Sequence, residues 1–217
     1  MSGGRPLPNS LWIAECLCAR LCHEMAGALG ALTGALALAR EDDTLAQEAI
    51  RLASLTGQAL EARLCLLRAA WGGEGAPLDR VRLAELAQGL ADRRITLALE
   101  GLPSRTLFAP EIGRLVLNLV LLGADALPAG GAVSLTLEGG GLVLGIAGPR
   151  AEWPAGLTAA LEGEVLIEGP RALQAPLTVL LAQAAGLRLS LLAPPEGGDE
   201  SGTRRVFLAL PTGSRIS

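Results

Sequence analysis

The chain has no lysine: all 18 basic positions among its 217 residues are arginine. No lysine nucleophile and no phosphate-clamping lysine is therefore available. Positive charge is also in deficit overall, and the formal net charge of −4 argues against a nucleic acid partner. Long apolar runs are scarce. Half the residues are hydrophobic, yet Gly, Pro or charge interrupts them before the roughly 20 residues that a membrane span needs. The longest candidate, Leu115 to Leu122, is short and contains Asn118. No basic start leading into a cleavage site is seen, so the expected place is the cytoplasm, without a membrane anchor. The four cysteines, Cys16, Cys18, Cys22 and Cys65, include no Cys-x-x-Cys pair and make no disulfide framework in a chain of this size.

What is present once is histidine. His23 lies in Arg20-Leu21-Cys22-His23-Glu24-Met25, on a strongly helical stretch. Cys18, Leu21, Cys22, Met25, Leu29, Leu32 and Leu36 recur at helical spacing as an apolar stripe. At about 100° per residue, His23 points roughly 200° away from Leu21 and Met25, so it faces outward. Its neighbours on that face are Ala19, Arg20, Ala26 and Gly27, with Gly30 a turn further on. Each interior glycine costs a helix about 1 kcal/mol against alanine, so the bare strip around the imidazole suits access by a partner. A zinc site from Cys18, Cys22 and His23 is disfavoured, because the ring points roughly 100° from Cys22 and 140° from Cys18. Small buried hydrophobes are the plainer reading of those cysteines. No metal and no cofactor is expected in the chain.

Periodicity divides the chain into three stretches. Residues 9–71 read as two long helices, one from Asn9 or Ser10 to Arg40 and one from Asp43 or Thr44 to Trp71. The short Glu41-Asp42-Asp43 connection makes them an antiparallel hairpin. Two amphipathic helices cannot enclose a core alone, so a second copy is expected to complete a dimeric four-helix bundle. Residues 72–77, Gly-Gly-Glu-Gly-Ala-Pro, read as a linker. Residues 78–212 mix helices (Val81 to Arg93, Pro110 to Leu127, Ala175 to Ala185) with strands. Those strands are Ile95 to Leu99, Thr106 to Phe108, Ala132 to Glu138, Leu142 to Ala147, Leu187 to Leu192 and Arg204 to Leu210. A short helix follows Trp153-Pro154, and Gly139-Gly140-Gly141 turns a hairpin. The fold class is α + α/β, a helical hairpin followed by an α/β sandwich.

These residues carry a family resemblance across nearly the whole chain. The hairpin, with His23 followed by Glu24, resembles the dimerisation and phosphotransfer hairpin of sensor histidine kinases. The later part is similar to the ATP-binding, Bergerat-fold domain of those kinases. The matching segments are Leu117-Asn118-Leu119, Pro128-Ala129-Gly130-Gly131, Gly186 to Ser190, and Gly202-Thr203 through Leu210-Pro211. The departures are as telling. Where a kinase has a second, magnesium-holding Asn, this chain has Leu122. Where a kinase has the adenine-binding Asp, it has Ile146. Where the glycine-rich lid belongs, it has Ala172-Leu173-Gln174-Ala175-Pro176. A nucleotide–magnesium complex needs oxygen ligands and close backbone approach, so ATP binding is not expected.

A kinase scaffold that keeps its histidine and loses its nucleotide site resembles the ChpT-like histidine phosphotransferases. The segments LCARLCHE, NLVLLGADALPAGG and GPRA fit that family, with Ala28 where members usually carry proline. The resemblance implies a phosphorelay. A receiver domain of a hybrid histidine kinase would donate a phosphoryl group from aspartate to His23, and response-regulator receivers would take it on. Magnesium would come with the receiver. Glu24 either orients or deprotonates the imidazole or is a solvated helix carboxylate. Arg20 and Arg150, with Ala26 and Gly27, are candidate contacts for the partner, each arginine also readable as an ordinary surface residue. The alternative is a non-catalytic dimeric scaffold, or an inhibitor of a kinase or receiver.

Overall fold

A computed structural model describes residues 10–72, 75–164, 169–192 and 204–209. It opens with α1 (Ser10–Glu41) and α2 (Ala46–Trp71), packed antiparallel as a hairpin. The turn between them is set by Asp42, whose carboxylate accepts from the Thr44 amide at 2.8 Å, an arrangement that Asp favours over continued helix. That turn delays α2 to Ala46, later than the start expected at Asp43 or Thr44.

The remaining elements are β1 (Leu78–Asp79), α3 (Arg80–Ala87), β2 (Ile95–Gly101), β3 (Leu107–Phe108) and α4 (Pro110–Asp125). After them come β4 (Gly131–Glu138), β5 (Gly141–Ala147), α5 (Gly156–Leu161), α6 (Gln174–Ala184), β6 (Arg188–Leu192) and β7 (Arg204–Ala209). Five strands form one sheet in the order β2-β4-β5-β7-β6, with β2 and β4 parallel and the other pairs antiparallel. β1 and β3 pair separately. The architecture is the expected α + α/β. Asn9, Leu210 and Pro211 lie outside the described residues, as do Gly202 and Thr203.

The segment expected as one helix from Val81 to Arg93 is split. Asp79 caps α3 by accepting from the Arg82 amide at 2.7 Å, and Gln88–Arg93 then tightens into a 3-10 turn. Gly89 is the reason: a Cβ there would stand 2.6 Å from the Ala62 carbonyl oxygen of α2. The close approach of α2 to this turn needs a residue without a side chain.

Helix α4 is the centre of the core. Every residue from Leu115 to Ala124 is buried, and its apolar side chains meet Val133, Leu135, Leu144 and Ile146 of the sheet within one cluster. Each such Leu or Val contributes about 1.5–3 kcal/mol by leaving water. The same cluster takes in Leu66, Leu67 and Ala70 of α2, so the end of the hairpin and the α/β part share a core.

The hairpin seam differs from the stripe read off the sequence. In α1 the less exposed side carries Ile13, Leu17, Arg20, Glu24, Ala28 and Ala35. Of the expected stripe, Cys18, Cys22, Leu29 and Leu36 are exposed. In α2 the buried positions are Ala49, Ala53, Arg63, Leu66, Leu67 and Ala70, while Leu45 and Leu52 face outward. The chain places alanines and charged residues among the buried positions of the hairpin and leaves several leucines, Leu29, Leu36, Leu45 and Leu52 among them, outside. Helix α1, from Leu11 to Glu41, is also long and apolar enough by length and composition to cross a membrane. Within it, Met25 to Ala39 is uncharged throughout and longer than Leu115 to Leu122, so the longer uncharged apolar stretch of the two lies in α1.

Candidate functional site

His23 is exposed on α1, and Ala19, Ala26, Gly27 and Gly30 around it are exposed as well. A Cβ added at Gly27 or Gly30 would meet nothing within 4 Å. The imidazole thus stands on an open strip, as its helical phase predicts.

Arg20 does not share that strip. It was expected on the surface one turn from His23, where it could steer an incoming phosphate, but it is 1% exposed. Its Nη2 donates to Asp125 Oδ2 at 2.7 Å, and its guanidinium lies over the Trp71 ring at 5.4 Å, a cation–π contact made stronger by desolvation. The correction has a geometric cause. Residue 20 falls on the seam with Leu17 and Glu24, and the nearest acid across that seam is Asp125 at the end of α4.

Glu24 also turns inward. Its Oε2 accepts from Arg63 Nη2 at 3.0 Å and Nε at 3.2 Å, and Arg20 Nη2 lies 4.0 Å from its other oxygen. Burial alone would push this carboxyl up, but the charges of Arg63 and Arg20 and the hydrogen bonds from Arg63 outweigh it and hold it below the usual glutamate range. Arg63 shifts down because burial opposes its charge more than Glu24 supports it; a guanidinium remains protonated even so. Arg63 reaches the Gly89 carbonyl at 3.5 Å. Arg93 binds Asp125 Oδ1 at 3.2 Å and the Ala124 carbonyl at 2.9 Å. The result is a ladder, Arg63–Glu24–Arg20–Asp125–Arg93, that runs from α2 through α1 to α4 and the 3-10 turn.

Arg63, Arg93, Asp125 and Trp71 were not singled out from the sequence. The signal for Arg63 was available: it sits in step with Ala49, Ala53, Leu67 and Ala70, so a charge at core spacing required a buried partner. Asp125, 105 positions from Arg20, offered no such local sign.

Arg150 is exposed, with φ of +57°, a left-handed conformation that costs a non-glycine residue roughly 1 kcal/mol. Its turn is closed by Ala151 N donating to the Gly148 carbonyl at 3.1 Å, and Glu152 N donates to the Ala126 carbonyl at 3.0 Å. The turn therefore packs on the α4 end that Arg20 grips.

The residues expected in place of the kinase nucleotide ligands are packed in the core. Leu122 and Ile146 are fully buried, and Leu173, Gln174, Ala175 and Thr178 are buried around Asn118. Asn118 Nδ2 donates to the Ala70 carbonyl at 2.8 Å and the Arg114 carbonyl at 2.9 Å. Gln174 Nε2 donates to Asn118 Oδ1 at 3.0 Å. The 3-10 turn Pro170–Leu173, where a kinase lid would begin, packs against α1. Gly148 and Gly130 touch backbone to backbone, leaving 2.6 Å between the Gly130 oxygen and any Cβ at residue 148. Among the described residues, no group of three or more His, Cys, Asp or Glu side chains is placed to hold a metal ion.

Comparison with known proteins converges on one class. A family profile described as the histidine phosphotransferase C-terminal domain matches residues 82–197, more than half of the chain. The protein phosphotransferase ChpT of Brucella abortus (strain 2308) is 27% identical over 199 residues, covering 87% of this chain and 93% of that protein. A bacterial phosphotransferase solved at 1.7 Å superposes with a TM-score of 0.78 at 25% identity, covering 94% of this chain and 98% of the other. The fold and these matches define a phosphotransferase of two-component signalling. The chain belongs to the histidine phosphotransferase family.

Proposed function

We propose that the chain is a phosphorelay intermediate in which His23 accepts a phosphoryl group from the aspartate of a receiver domain and returns it to a response-regulator receiver. The observation that carries this reading is the exposed His23 on its open strip, braced from behind by the buried ion ladder. The neutral ring nitrogen attacks phosphorus in line. The N–P bond forms as the bond from phosphorus to the aspartyl oxygen breaks, and the carboxylate leaves with the electron pair. The ring proton passes to water, and the reverse sequence loads the second receiver. Such transfer rests on positioning and charge neutralisation; docking would supply the first, and a magnesium ion held by the receiver would supply the second.

Residues 9–71 serve as the dimerisation and phosphotransfer unit, 72–77 as its connection, and 78–212 as a degenerate Bergerat, pseudo-ATPase unit. This last unit neither binds ATP nor phosphorylates His23, a reading supported by Leu122, Ile146 and the buried Asn118–Gln174–Thr178 cluster. Instead it widens the receiver surface with Arg150. Glu24 acts from the seam, and Ala26 and Gly27 give the receiver room. The exposed leucines of the hairpin form the homodimer interface, which would also account for the apolar character of α1 in a cytoplasmic protein.

The experiment is transfer from a phosphorylated receiver to wild type and to His23→Ala, beside an ATP-only control. Acid-labile label on wild type alone, from the receiver alone, supports the relay. No label from any receiver would favour a scaffold or inhibitor, and label from ATP would overturn the loss of nucleotide binding.

A further inference from the structure

An ionic connection links the turn that carries His23 to α4: Arg20 Nη2 to Asp125 Oδ2, 2.7 Å, with both side chains almost wholly buried. A helix whose exposed face must present an imidazole in line with an incoming phosphorus has to be held against rotation about its own axis. Against α2 that rotation is held by contacts of small residues such as Ala28 and Ala35 and by the Glu24–Arg63 pair; against α4 it is held through Arg20. A buried, charge-assisted hydrogen bond fixes it strongly, because it has both a length and a direction. Arg20 sits three residues before His23 and so shares its helical turn. Asp125 is itself held from the other side by Arg93 at 3.2 Å, and Arg93 is anchored on the Ala124 carbonyl.

We propose that Asp125 is a positioning residue for phosphotransfer: through Arg20 it sets the rotation of α1 that presents His23 to the docked donor. The proposal rests on the reading that His23 exchanges phosphoryl groups with receivers. It assigns Asp125 no contact with the reacting atoms. Its influence is exerted only when the donor is held by docking, since a freely diffusing donor can meet the ring at any rotation, whereas a docked one cannot follow a displaced target. Displacements near 1 Å in such settings cost up to about 100-fold in rate.

The test uses the full chain, Asp125→Asn, and two donors: phosphoramidate, which needs no docking, and a phosphorylated receiver. Asp125→Asn should keep phosphoramidate labelling within about twofold of wild type and keep receiver affinity within about threefold. Its single-turnover rate from the bound receiver should fall at least about tenfold. Asp125→Glu, which retains the charge, should recover part of that rate. A folded Asp125→Asn with the wild-type single-turnover rate would overturn the proposal. So would a parallel loss with both donors, which marks a merely structural role. If Asp125→Asn does not fold, the pair Arg20→Met with Asp125→Leu removes both charges together, a change that buried ion pairs commonly tolerate, and its two rates decide the matter in the same way. A wild type that phosphoramidate labels but no receiver does would overturn the functional reading, and the positioning role with it. A competent wild type matched by its folded variant would overturn the positioning role alone.

Discussion

Glu24, the residue after His23, gives its carboxylate to Arg63 across the hairpin at 3.0 Å. Both groups are largely buried, at 13% and 4% side-chain exposure. The acid beside His23 thus spends its charge inside the seam, which makes it a brace before anything else.

The brace has a pH signature. The folded Glu24 carboxyl lies below its ordinary value, burial being outweighed by Arg63 and Arg20. A depressed folded pKa means that the unfolded state takes up the proton first. The stabilisation is therefore complete above the unfolded value, about 4.3, and is lost as pH falls through the lower folded value. Glu24→Gln should destabilise the protein by about 3 kcal/mol near neutrality, because it leaves Arg63 buried without its counter-charge. Chemical denaturation of both proteins from neutral to acid pH checks this. The gap between them should close as pH drops below about 4.3, and a gap independent of pH would refute the brace.

Leu29 and Leu36 of α1 are 43% and 48% exposed, and Leu52 and Leu55 of α2 are 52% and 48% exposed. Side chains of this kind each contribute about 1.5–3 kcal/mol when fully buried, and the proposed homodimer would cover them. Leu29→Glu with Leu36→Glu should convert a dimer to a monomer in sedimentation velocity without lowering the helix signal in circular dichroism. A monomeric wild type, or a doubly substituted dimer, would rule out this face as the interface.

Gly89 separates the 3-10 turn from α2 by so little that a Cβ would stand 2.6 Å from the Ala62 carbonyl oxygen. Backbone cannot give way as a flexible side chain can. Gly89→Val should cost about 1–3 kcal/mol, as overpacking does elsewhere, and should weaken the Arg63–Gly89 contact beneath His23. Thermal unfolding measures the first effect, and receiver-dependent labelling of His23 reads the second.

The order of elements was legible in the sequence because their signals are local. Pro110 opens α4, Gly139-Gly140 turns the β4–β5 hairpin, and strand alternation marks β4. His23 was legible for the same reason, since its helical phase alone sends it outward. What escaped was relational. Leu29 and Arg20 exchange the sides that hydrophobicity would assign them, because Arg20 finds largely buried acids in Glu24 and Asp125, while Leu29 remains exposed. Asp125 could not be linked to Arg20 by any periodicity, as the contact exists only once α4 is buried against the hairpin's end. The 3-10 turn escaped because the constraint on Gly89 is imposed by α2, not by its own neighbours.

Asn118 offers a test of the proposal that the α/β part does not bind ATP. Were it retained to serve ATP, its loss would change nucleotide affinity and leave stability nearly untouched. Its side chain instead bridges the Ala70 carbonyl of α2 to Gln174 of α6, at 2.8 Å and 3.0 Å, in fully buried surroundings. Deleting one partner of a buried hydrogen-bonded pair strands the other, at about 1–3 kcal/mol, whereas removing both together costs less. Asn118→Ala should therefore lower stability by about 2 kcal/mol and leave phosphoramidate labelling of His23 unchanged at a temperature where the variant is folded. Replacing Asn118 by Leu and Gln174 by Met together should be less destabilising than Asn118→Leu alone, since no amide is then left seeking a partner. Calorimetric titration of wild type with magnesium-ATP should show no heat of binding, and neither variant should alter that. Measurable ATP affinity that Asn118→Ala abolishes, with stability intact, would show that the site still works as a kinase site does.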